Sequence, residues 1–131
     1  MTGVQTCALP IYDYKLVSRI IDGDTFVLDD STKVRLLGVD TPEKNEPLAD
    51  RATAFLVATI QGENVTLRYD KDKTDKYGRT LAYVYIGDVC INEELLKKGL
   101  AKATPQYSFK EKDKYLELEA SAKGKKLGIW K

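Results

Sequence analysis

The sequence predicts a small closed β-barrel of the OB type carrying about three helices, an α+β fold with five strands. Five segments are rich in β-branched and aromatic residues, and they group as three and then two with turn residues between them. Helical periodicity appears only between and after the two groups. That order fits a barrel better than a sandwich or an alternating βαβ sheet.

The first strand covers residues 14–21 and stops at Asp22-Gly23-Asp24, a turn-favouring triplet. Residues 25–28 resume a strand, Asp29-Asp30-Ser31 turns it, and residues 33–39 run back, so the first three strands form a meander. Asp40-Thr41-Pro42-Glu43 breaks the ladder, because proline has no N–H to donate. Leu48, Ala52, Phe55, Leu56 and Ile60 then recur at helical spacing. Two further strands are expected over 63–69 and 81–86, joined by a charged stretch that ends in Tyr77-Gly78-Arg79. Asn92 is the expected N-cap of a short helix over 93–98, which Gly99 stops in a left-handed conformation. A last helix over 110–123 ends near Gly124, after which Leu127, Ile129 and Trp130 are expected to dock on the body.

At 131 residues the chain fits one domain that needs no staples, and 43% hydrophobic with 31% charged residues excludes a disordered class. No apolar run approaches the roughly 18 residues that span a bilayer, so no membrane association is expected. Formal charge is +1, with 21 basic against 20 acidic residues, so any affinity for a polyanion must be local. Histidine is absent, which leaves carboxylates, lysine and tyrosine for acid–base chemistry. Cys7 and Cys90 offer no zinc spacing.

The opening residues 1–11 carry no charge and no usable period, unlike everything after Tyr12. Back-translated, Thr2 to Ile11 resembles a high-throughput sequencing adapter, so residues 1–11 are expected to be a non-native remnant and 12–131 a single domain. Cys90 would then be the sole native cysteine.

Three segments concentrate chemistry: Asp22-Gly23-Asp24-Thr25, the stretch from Arg35 to Glu43, and Thr74-Asp75-Lys76-Tyr77-Gly78-Arg79. Barrel strands bring their ends together, so Asp24 and Asp40 could share a hard divalent cation, and calcium accepts carboxylate, carbonyl and water oxygens together. Each segment also has a plainer reading. Asp-Gly-Asp is a common turn, residues 40–43 can open the following helix, Arg35 can lie on a solvated strand face with Lys33 and Leu37, and Arg79 can be loop charge.

Taken together, Ile-Asp-Gly-Asp-Thr, Arg-Leu-Leu-Gly-Val-Asp-Thr-Pro-Glu and Thr-Asp-Lys-Tyr-Gly-Arg resemble the staphylococcal nuclease (thermonuclease) family, and the likeness runs in order from about Tyr14 to Trp130. Gly99-Leu100-Ala101-Lys102 and the closing Ile129-Trp130 match as well. The resemblance implies an OB-fold endonuclease and exonuclease that hydrolyses DNA and RNA with Ca2+, leaving 5′-hydroxyl and 3′-phosphate ends. It implies calcium held by the Asp24 and Asp40 carboxylates and the Thr41 carbonyl, with Glu43 orienting or deprotonating water. Arg35 and Arg79 would hold the phosphate, Lys76 and Tyr77 a terminal phosphate, and Tyr107 would stack on a base.

Two departures from the family pattern are visible. Only Lys44-Asn45-Glu46 separates Glu43 from Pro47, a short loop, and one of the family's two stacking tyrosines falls on Pro105, leaving Tyr107 unless Phe109 substitutes. The rival reading is a non-catalytic OB module that binds single strands, against which intact Asp24, Asp40 and Glu43 argue. The expected setting is extracellular, with nucleic acid as substrate, a monomeric state and no obligate protein partner.

Overall fold

The computed structural model describes residues 12–131; the expected adapter remnant, with Cys7, lies outside the described residues. Strands β1 (Tyr12–Ile20), β2 (Thr25–Leu28) and β3 (Lys33–Leu36) form the expected antiparallel meander, with Val17 opposite Leu28 and Phe26 opposite Val34. The chain then passes through β4 (Val39–Asp40) and helix α1 (Ala49–Thr59) into β5 (Asn64–Arg68) and β6 (Thr80–Ile86). Strand β5 pairs antiparallel with both β1 and β6, and β6 closes the barrel by pairing parallel with β3, Val34 meeting Thr80 and Leu36 meeting Ala82. The five-stranded OB-type barrel with three helices is therefore present.

Alternation fills the interior. Val17, Phe26, Val34, Leu36, Val65 and Leu67 point inward and are sealed from solvent. Helix α1 closes one side with Ala52 and Leu56, both fully buried. Strand β7 (Val89–Cys90) leads directly into helix α2 (Ile91–Lys97), which packs on helix α3 (Lys112–Gly124) beyond the short strand β8 (Lys102–Ala103).

Three expectations need correction. The strand expected over 33–39 ends at Leu36, because Gly38 adopts a left-handed φ of 82° and a Cβ there would lie 2.7 Å from the Phe109 ring. Val39–Asp40 leaves the barrel ladder and pairs with Lys102–Ala103 instead. Asn92 is not an N-cap. The β7 hairpin runs straight into α2, so the cap position falls on Cys90 and Asn92 sits fully buried in the first turn. Its Oδ1 accepts the Val84 N–H at 2.9 Å while its Nδ2 donates to Leu37 O at 2.8 Å and Ala82 O at 3.2 Å, satisfying backbone groups where β3 departs from β6. Phe109, weighed as a stacking ring, is buried against Tyr115 with centroids 5.6 Å apart.

The chain end partly follows expectation. Gly99 has the predicted left-handed φ, 72°, and its carbonyl accepts the Ile129 N–H at 2.8 Å. Ile129 and Trp130 dock half-buried, whereas Leu127 remains exposed. Helix α3 runs through Gly124, and the left-handed turn falls at Lys126.

Candidate active site

The site begins at the turn between β1 and β2. A Cβ on Gly23 would lie 2.7 Å from both Ala52 Cβ and Thr41 Oγ1, so glycine alone lets this turn tuck against α1 and the chain after β4. That approach buries Asp24, which is 7% exposed. Its Oδ2 accepts the Thr41 N–H and the Thr41 hydroxyl, each at 3.0 Å, and its Oδ1 accepts the Thr25 hydroxyl at 3.1 Å. Asp24 is thus buried at its strand end, with Thr41 folded back over it. Asp40 is the more open of the two, with a side chain 53% exposed.

Arg35 is not on a solvated face. Its Nη1 donates to Leu36 O and Val39 O, both at 2.7 Å, while Nη2 lies 3.4 Å from Asp24 Oδ2 and 3.3 Å from Asp40 Oδ1. The strand ends one residue later, and the guanidinium spans the break at Gly38 by bonding a carbonyl on either side of it.

Glu43 sits on a closed turn. The Glu46 N–H donates to Glu43 O at 2.8 Å, and Glu46 Oε1 accepts the Glu43 N–H at 2.6 Å. Asn45 and Leu48 take left-handed φ values of 80° and 72°, which compress the short loop into this turn.

Arg79 comes from the segment between β5 and β6. Asp75 organises it: Oδ1 accepts the N–H groups of Tyr77 and Arg79 at 2.9 Å each, and Oδ2 accepts Arg79 Nε at 2.8 Å. The guanidinium carbon lies 5.4 Å from the Tyr77 ring centroid. Among the described residues nothing bonds the two terminal nitrogens of Arg79.

Asp24, Arg35, Asp40, Thr41, Glu43 and Arg79 all line one polar pocket of about 180 Å³. Arg35 and Arg79 also line an adjoining groove of about 460 Å³ that holds Lys76, Tyr77 and Tyr107. Every residue singled out for chemistry thus opens onto the pocket or the groove. Sequence reasoning gave no role to Asp22, Glu46 or Asp75. Asp22 lines the pocket and accepts the Asp24 N–H at 3.1 Å. Its signal was the same Asp-Gly-Asp triplet, which the turn reading absorbed.

Negative charge is in excess here. Burial and the neighbouring Asp24 raise the Asp22 carboxyl above its ordinary range despite Arg35. Asp40 is raised too, by burial and by Asp24, against the pull of Arg35. In Asp75 burial acts upward, but the hydrogen bonds from the Arg79 backbone and side chain and from Tyr77 outweigh it and hold the carboxyl below its usual range. Among the described residues no three carboxylate or thiol groups converge to hold a metal alone, so a cation would take the Asp24 and Asp40 carboxylates and complete its shell from backbone and water oxygens. Oxygen donors with surplus negative charge fit a hard divalent ion.

A closed five-stranded barrel with an acid-and-arginine pocket on its flank defines an OB-fold protein of the α+β class. The family model described as staphylococcal nuclease homologue matches residues 33–131. The thermonuclease of Staphylococcus intermedius is 41% identical over 128 residues, covering 88% of this chain and 74% of that protein. The thermonuclease of Staphylococcus hyicus is 39% identical over 129 residues, with 89% and 75% covered. Endonuclease YncB of Bacillus subtilis (strain 168) is 38% identical over 128 residues, with 87% and 60% covered. The chain belongs to the staphylococcal nuclease family.

Proposed function

We propose that the protein is a calcium-dependent nuclease that hydrolyses phosphodiester bonds of DNA and RNA, preferring single-stranded or locally opened regions and leaving 5′-hydroxyl and 3′-phosphate ends. One observation carries the reading: two arginines and a carboxylate on a closed turn share a single pocket with a pair of cation-competent aspartates. Family membership and the thermonuclease and endonuclease relatives support it. An extracellular, monomeric protein acting from within and from the ends of chains completes the proposal. No helix of the described residues is long and apolar enough to cross a membrane.

In this mechanism Asp24 and Asp40 would hold calcium with the Thr41 carbonyl, and the ion would supply positive charge to offset that of the phosphate. Glu43 accepts the proton of the attacking water from a backbone that Glu46 holds at both its N–H and its carbonyl. Arg79, tethered through Nε, offers both terminal nitrogens as a fork for two phosphoryl oxygens, where charge grows in the transition state. Arg35 adds fixed positive charge between the aspartates. Lys76 and Tyr77 bind a terminal phosphate, and Tyr107, 61% exposed, stacks on a base. With Phe109 buried and Pro105 in the other position, a single ring serves that base.

The test is cleavage of denatured DNA after chelation and re-addition of metal. Calcium restores activity and magnesium restores little, because two carboxylates in an adaptable shell suit calcium while magnesium demands compact octahedral geometry. Glu43→Gln lowers turnover far more than it weakens binding of a nucleotide inhibitor, since the amide keeps the shape and loses the base. Tight strand binding without cleavage by the wild-type protein would favour the binding-module reading instead.

A further inference from the structure

The outer face formed by β1, β5 and the Tyr85 end of β6 lines neither the pocket nor the groove, and its composition is unusual. Tyr12, Tyr14 and Leu16 alternate outward along β1 and are 52%, 68% and 36% exposed. Register sets Tyr12 opposite Arg68 and Tyr14 opposite Thr66 on β5, and Thr66 opposite Tyr85 on β6. The Arg68 guanidinium lies over the Tyr85 ring, 4.7 Å from its centroid. Three tyrosines and one arginine therefore share a sheet surface whose outward positions on β1 and β5 hold no carboxylate.

Two acids beside the face are occupied. Asp13, of the opposite alternation, accepts the Tyr69 hydroxyl at 2.6 Å, and Glu93 near Tyr85 is paired with Lys114 at 3.1 Å. Arg68 is the one charged side chain at the outward positions where β1 pairs with β5. Exposed aromatic rings beside an arginine, without competing carboxylates, are what a single strand uses: each base has a π-face to stack, and the cation meets the backbone.

We propose that this face is a second binding surface for single-stranded nucleic acid, taking the part of a strand that extends beyond the groove; this rests on the reading of the protein as acting on polynucleotides. The two surfaces lie close along one strand. Leu81 of β6 lines the groove and Tyr85 is four residues on, about 13 Å at about 3.3 Å per residue. Between them the Tyr83 hydroxyl and the Lys110 N–H both donate to Asp70 Oδ2, at 2.5 and 2.8 Å, so the strand must cross this bridge. OB folds engage on the order of 4–16 nucleotides, enough to cover both.

The experiment measures binding of oligothymidylates of about 4 and about 16 nucleotides in chelator, where no cleavage occurs, across a salt series. Tyr14→Thr suits a strand and removes the ring; it weakens the long oligomer about 5-fold or more and leaves the short one unchanged. Tyr14→Phe keeps the ring and the wild-type affinity. Arg68→Gln flattens the dependence of log affinity on log salt by about 0.7 for the long oligomer only. Equal losses for both lengths, or no loss, overturn the proposal. So does a concentration-dependent dimer in sedimentation that Tyr14→Thr dissolves without changing strand affinity, because the face would then serve a second copy. Binding is read without metal, so a wild-type protein that fails to cleave but shows these effects removes the nuclease reading and keeps this one.

Discussion

Arg35 and Arg79 open onto the same pocket from very different settings. Arg35 lies on a barrel strand and spends its guanidinium on the protein, with two carbonyls on Nη1 and two carboxylates beside Nη2. Arg79 lies on a turn and spends Nε on Asp75, and among the described residues its two terminal nitrogens bond nothing. The first arginine holds the break in β3 together as well as charging the site. The second is presented by a local turn that Asp75 organises, away from the barrel ladder. Function and stability should therefore separate at Arg79 and remain entangled around Arg35.

The sharpest way to break that comparison is Arg79→Lys. A lysine supplies one compact charge without the fork, so single-turnover cleavage of single-stranded DNA at saturating calcium is expected to fall on the order of a hundredfold or more. Inhibitor affinity and melting temperature should barely move. Near wild-type turnover would return Arg79 to ordinary loop charge.

The aspartates facing Arg35 give the next largest contrast. Both Asp24→Ala and Asp40→Ala should abolish most calcium-supported cleavage. Chemical denaturation should tell them apart. Asp24→Ala leaves the Thr41 N–H and hydroxyl without an acceptor in a buried place and is expected to cost roughly 1–3 kcal/mol. Asp40→Ala removes a half-exposed group and should cost less than about 1 kcal/mol. Equal unfolding midpoints for the two variants would contradict the buried, three-bond setting of Asp24.

The smallest effect is a pH dependence at the Arg79 turn. Asp75 is held below its ordinary value, 3.8, so the ionised carboxylate stabilises the fold. That contribution is complete above the unfolded value and is lost as pH falls from there through the folded one. Asp40, raised above its ordinary value, contributes with the opposite sign, its ionisation opposing stability as pH rises. Acid titrations should show Asp75→Asn less stable than wild type at neutral pH and the gap closing below about pH 4. A gap that persists to lower pH would mean that the carboxylate's charge is not what holds the turn.

Local pattern made the barrel readable. Alternation in β5, the β-branched and aromatic runs of β2 and β6, the turn triplet at Asp22 and the left-handed stop at Gly99 are properties of a few adjacent residues, and each appears where the residues dictate. The candidate site was readable as well, but only because three segments occur together in an order that resembles one family. Any one of them alone also reads as a turn, a helix entry or surface charge.

The arrangement of these pieces depends on contacts between residues distant in the chain. Gly38 breaks β3 against the Phe109 ring, 71 positions away in the sequence, and the same contact takes Phe109 out of any stacking role. Asn92 has the side chain of a helix cap, yet its amide is used by Leu37, Ala82 and Val84, which no local pattern connects to it. Asp24 is buried because Thr41 closes over it, 17 residues on. Residue types and short-range periodicity determined the strands, the helices and the inventory of reactive groups. Only the closed barrel decided which of those groups are buried, paired or left free, because burial and pairing arise where segments meet and are encoded in none of them separately.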